Sequence, residues 1–102
     1  MAEFVTVAKT SDFADGDRIV IQVKRDWIVI FKVSGRFYAV EDMCTHEDEP
    51  LSDGYLDGME IECAKHGARF DIETGKVLAP PAYSNVKIYP TRIVGDDLQV
   101  EL

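Results

Sequence analysis

Cys44-Thr45-His46, then sixteen residues, then Cys63-Ala64-Lys65-His66 is the stretch on which the reading of this chain turns. The pattern C-x-H-x16-C-x2-H takes in both cysteines and both histidines of a 102-residue protein. Two short clusters, each with one thiol and one imidazole, point first to a four-ligand metal site. Thiolates and imidazoles together suit zinc, or an iron–sulfur cluster in which histidine replaces cysteine on one iron. Zinc fingers usually pair cysteine with cysteine and histidine with histidine. Mixed clusters instead allow both thiolates to reach one metal and both imidazoles another, as a two-iron cluster requires. A mononuclear zinc site and four unconnected residues stay open as alternatives.

The flanks of the two clusters carry further motifs. Pro50-Leu51 follows the first. Ser52-Asp53-Gly54-Tyr55-Leu56-Asp57-Gly58 fits S-x-G-x-x-x-G, and Phe70-Asp71-Ile72-Glu73-Thr74-Gly75 fits F-D-x-x-T-G after the second cluster. Ala79-Pro80-Pro81 comes next. At these residues the chain resembles Rieske proteins over nearly its whole length, in particular the small soluble Rieske ferredoxins of bacterial ring-hydroxylating dioxygenases. The resemblance implies a [2Fe-2S] cluster with Cys44 and Cys63 on one iron and His46 and His66 on the other. It implies an all-β fold, an antiparallel β-sandwich spanning residues 1–102 as one domain, with a small inserted cluster-binding subdomain at about residues 41–82. It also implies an electron carrier without a catalytic site, passing single electrons from a ferredoxin reductase to a terminal oxygenase. Small subunits of nitrite reductases and carriers linked to iron–sulfur assembly look similar, and the sequence does not separate them. A structural zinc-binding module is the alternative from a different class.

The totals agree with a carrier. The length suffices for one domain with a modest core, and 46% apolar content is ordinary for a globular chain. A formal net charge of −8 and a pI of about 4.6 argue against nucleic acid and anionic membranes as partners. If both cysteines hold iron, none is left for a disulfide, which fits a reducing, cytoplasmic setting. Met1-Ala2-Glu3-Phe4 has no basic flank or long apolar run, so no signal peptide is expected. No segment approaches the roughly 20 apolar residues of a membrane span. A monomer is expected.

Outward from the clusters, short β-branched runs alternate with turns. Phe4, Val5 and Val7 predict an edge strand, and Thr10–Phe13 a short turn of helix before a loop. Arg18–Val23, Trp27–Val33 and Phe37–Val40 predict a meander, with turns at Lys24-Arg25-Asp26 and Ser34-Gly35-Arg36. Trp27, Phe31 and Phe37 are expected to pack in the core or on its surface. Asp53-Gly54 and Asp57-Gly58 supply turn residues that tolerate positive φ, Glu60–Glu62 is expected to form a short strand, and Gly67 to turn the chain after a ligand. Thr74-Gly75 closes another hairpin, and the resemblance places the Pro80-Pro81 segment against the cluster, where residue type alone equally allows a plain surface turn. Val86–Tyr89, Thr91–Val94 and Leu98–Glu101 predict closing strands, with Pro90 at an edge or bulge and Gly95-Asp96-Asp97 as the last turn. About ten short strands result.

Two features suggest a potential low within the Rieske range of about −150 to +300 mV. High-potential relatives carry hydroxyls matching Ala68 and Phe70, and an added cysteine in each loop, paired as a disulfide. Here Asp48 or Glu49 stands near the first such place and Lys65 or a neighbour near the second. In addition, Glu41, Asp42, Glu47, Asp48, Glu49, Asp53, Asp57, Glu60 and Glu62 crowd the region before Cys63 with no Lys or Arg among them. Negative charge opposes reduction. This acidic run reads either as a solvated face or as a docking surface for basic patches on redox partners.

Overall fold

The computed structural model describes residues 3–44, 49–65, 67–82 and 84–102. Alternating β-branched runs, cut by polar and glycine turns, become eleven strands among the described residues. In chain order these are β1 (Phe4–Lys9), β2 (Arg18–Val23), β3 (Asp26–Val33), β4 (Arg36–Glu41), β5 (Tyr55–Asp57), β6 (Glu60–Glu62), β7 (Arg69–Asp71), β8 (Val77–Ala79), β9 (Ile88–Tyr89), β10 (Thr91–Val94) and β11 (Asp97–Glu101). Single 3-10 turns cover Thr10–Asp12 and Leu51–Asp53. The strands form three antiparallel sheets, ordered β1-β11-β10, β2-β3-β4-β9 and β5-β6-β7-β8.

Strand β3 explains how the layers stack. Ile28, Val29, Ile30 and Phe31 are all 0% exposed. Successive side chains of a strand point to opposite faces. Ile28 and Ile30 join Phe13, Phe37, Ala39, Tyr89, Leu98 and Val100 in the core shared with the β1-β11-β10 sheet. Val29 and Phe31 join Val40, Leu51, Ile61, Phe70 and Ile72 in a second core, towards the β5-β6-β7-β8 sheet. The middle sheet is covered on both sides, so its central strand reads as a continuous apolar run. Each such fully buried side chain contributes about 1.5–3 kcal/mol.

Most predicted strands stand where the sequence places them, with two adjustments. Asp26 opens β3 opposite Val23, which leaves a two-residue hairpin turn at Lys24-Arg25. Lys24 takes φ 57° there, and Ser34 takes φ 53° in the matching Ser34-Gly35 turn, because tight hairpins need positive φ. The strand expected over Val86–Tyr89 shrinks to β9, since the Val86 N–H donates to the Gly75 carbonyl (2.9 Å) rather than to a strand. Pro90 lies between two edge strands, β9 of the middle sheet and β10 of its neighbour. The chain changes sheets at that point, and no ladder bond is lost to the missing N–H. Among the described residues no helix is long and apolar enough to cross a membrane.

Candidate metal centre

The middle sheet hands the chain to the site at the end of β4. The Asp42 N–H donates to the Trp27 carbonyl (2.9 Å). The Asp42 carboxylate then accepts from the Ser52 N–H (2.7 Å) and the Ser52 hydroxyl (2.8 Å). From β2, the Arg18 guanidinium donates to the carbonyls of Ser52 (3.0 Å) and Gly54 (2.9 Å). Residues 42 and 52–54 are thereby anchored on the scaffold, and the intervening segment contains Cys44.

The two cysteines occupy matching positions. The Cys44 N–H donates to the Glu49 carbonyl (2.8 Å), and the Cys63 N–H donates to the Ala68 carbonyl (2.7 Å). Each bond closes a loop on the residue five positions ahead. In the second loop the Gly67 N–H also donates to the Cys63 carbonyl (3.0 Å), with Gly67 at φ 76°, as its residue type predicts. Both thiols are 2% exposed and share one packed cluster with Leu51, Ile61, Ala68, Phe70 and Ala82. Neither forms a disulfide. Ala82 brings the segment after Pro80-Pro81 into this cluster.

Of the four expected ligands the structure places Cys44 and Cys63. His46 and His66 lie outside the described residues, as do Thr45, Glu47 and Asp48. The donor chemistry fits a two-iron cluster. Each buried thiol begins a short closed loop, and a histidine follows two or three residues later in that loop.

Gly54 is required for a reason that its residue type does not show. Its φ is −86°, which any residue adopts, yet an added Cβ would lie 2.0 Å from the Glu62 carbonyl oxygen. Close backbone approach, rather than positive φ, demands glycine here. Gly58 behaves as expected, with φ 61°.

The acidic run is also less bare than it reads. Arg69 on β7 pairs with Glu62 (2.8 Å) and approaches Glu60 (3.7 Å). The Glu62 carboxylate, and more weakly Glu60 and Asp57, hold the Arg69 guanidinium above its usual value, so this cation stays charged. Lys65 pairs with Glu49 at 3.4 Å. Asp42 spends both carboxylate oxygens on Ser52. Sequence reasoning missed Arg18 and Arg69 because nothing in their local spacing marks them. Strand pairing and packing bring them to the site.

Residues 3–90 match the family model described as Rieske [2Fe-2S] domain. The chain is 37% identical over 100 residues to the ferredoxin component of the naphthalene 1,2-dioxygenase system of Pseudomonas putida, covering 98% of this chain and 96% of that protein. Among solved structures it is similar to the Sphingomonas yanoikuyae B1 ferredoxin, with a TM-score of 0.90 and 31% identity, over 98% of this chain and 99% of that one. A chain from the complex of reduced oxygenase and oxidized ferredoxin in carbazole 1,9a-dioxygenase superposes with a TM-score of 0.89 at 31% identity, over 95% of this chain and 91% of that one.

Proposed function

The chain belongs to the Rieske [2Fe-2S] domain family as an electron carrier of the ferredoxin kind, and from that premise we propose that it delivers single electrons from a ferredoxin reductase to the terminal oxygenase of a ring-hydroxylating dioxygenase. Cys44 and Cys63 hold one iron, and His46 and His66 the other. The observation that carries this assignment is the matched pair of buried cysteines, each closing its loop on the residue five positions ahead. When bound, the cluster takes up and releases one electron. The protein's part is to hold it. The Cys44 and Cys63 amides, turned back onto Glu49 and Ala68, fix where each thiol enters the core. The apolar packing of Leu51, Ile61, Phe70 and Ile72 keeps water from the cysteine side. Their relatives' names support the oxygenase as acceptor, since they are ferredoxin components of dioxygenase systems.

We assign it a low potential within the family, a monomeric state and a cytoplasmic location. Residues 41–82 act as the cluster-binding part of a single domain spanning residues 1–102. Metal and sulfide analysis of the purified protein tests the site. Two irons and two acid-labile sulfides per chain and a red-brown colour are expected. Cys44→Ser, Cys63→Ser, His46→Ala and His66→Ala should each lose or badly destabilise the cluster. A colourless protein with one zinc would replace the carrier by a structural module, and a normal cluster spectrum in any one variant would remove that residue from the ligand set.

A further inference from the structure

Two loops that share one cluster must be held at one spacing, and the bonds that close them do not do this. Cys44 N–H to Glu49 carbonyl lies wholly within the first loop, and Cys63 N–H to Ala68 carbonyl wholly within the second. A side-chain tie does cross between them. Lys65, between Cys63 and the next histidine, places Nζ 3.4 Å from Oε1 of Glu49. Glu49 therefore acts twice. Its carbonyl closes the first loop, and its carboxylate reaches a cation of the second.

We propose that Glu49 and Lys65 are positioning residues, an ionic clasp that sets the spacing of the two cysteine loops and so the tightness with which the cluster is held. The proposal rests on the cluster assignment above. The side chains are 35% and 53% exposed, so salt screens the clasp. An ionic tie opens and recloses without a redox reaction, so loading the cluster requires no thiol chemistry at this point.

The test uses cluster-loaded protein in five forms: wild type, Glu49→Gln, Lys65→Gln, the double neutral variant, and the charge swap Glu49→Lys with Lys65→Glu. Loss of visible absorbance under excess EDTA is followed at low salt and at about 0.5 M salt, where the screening length is only a few Å. Each single neutral variant should bleach up to about fivefold faster than wild type at low salt, the range of an exposed ion pair. The double variant should bleach no faster than Lys65→Gln alone, because a neutral residue 65 leaves Glu49 no cation to hold, and any other contact of Lys65 cancels in the coupling term of the cycle. High salt should bring wild type to the rate of the variants, and the swap should recover part of the loss. The electron paramagnetic resonance lines of the reduced cluster should broaden in the single variants, as the loop spacing loosens. A wild type whose bleaching ignores salt, wild-type rates in both single variants, or additive effects in the double would each overturn the clasp. If a single variant holds no cluster, the wild-type salt response and the swap still decide. Failure of the cluster assignment looks different, because there would be no coloured wild type to bleach.

Discussion

Ala68 and Phe70 are both 0% exposed and packed with the two cysteines, and neither side chain carries a hydroxyl that could donate to a sulfur. Hydrogen bonds to cluster sulfurs stabilise the reduced, more negative state and raise the potential. Ala68→Ser and Phe70→Tyr should therefore each raise the midpoint potential, and the double change should exceed either. A bond to a charged acceptor is worth about 1.5–3 kcal/mol, or about 60–130 mV for one electron. Only its difference between redox states counts, so the rise should fall well below that. Voltammetry with cluster content checked measures it. An unchanged or lower potential in the double variant would mean that charge or solvent sets the potential instead. The absence of these hydroxyls was legible in the residue types. Their burial beside the thiols was not, since it depends on β6 and β7 packing against the middle sheet.

At the scale of elements, the segment from Leu51 to Gly54 shows how the scaffold supports the first loop. Arg18 on β2 grips its carbonyls, and β6 presses the Glu62 carbonyl against Gly54. Gly54→Ala should destabilise the protein by about 1–3 kcal/mol, the usual cost of forced over-packing. Gly58→Asn should cost less, because Gly58 has φ 61° with nothing within 4 Å of an added Cβ, and asparagine tolerates that φ. Denaturant midpoints of the two variants compare them, and equal losses would show that the backbone near Glu62 yields easily. Both glycines look alike in sequence, each after an aspartate. Their backbone conformations and the neighbour across the sheet tell them apart.

At the scale of the whole molecule, a net charge of −8 makes association with a basic partner salt-dependent. Arg69 and Lys65 neutralise part of the acidic run, and Glu47 and Asp48 belong to that run by sequence. Reversing Glu47 and Asp48 to lysine should slow reduction by a dioxygenase ferredoxin reductase at low salt by roughly 3–10-fold, the small end of steering effects. Reversing Glu3 and Glu101 should do less, and about 0.5 M salt should erase the difference. Stopped-flow reduction measures the rates. Equal effects at both places would make the acidic run a solvated face.

What the sequence determined by itself is local chemistry. Residue types and their spacing pointed to a metal site, the flanking motifs carried the resemblance that implied the cluster, period-2 runs marked the strands, and glycine–aspartate pairs marked the turns, because each signal lies within a few residues. The tertiary structure alone decided which faces of β3 are both covered, why Gly54 must be glycine, and which cations meet the acidic run. These depend on segments far apart in the chain becoming neighbours. Arg18 reaches across 34 and 36 residues to Ser52 and Gly54, and no local pattern records a contact that exists only once three sheets have packed together.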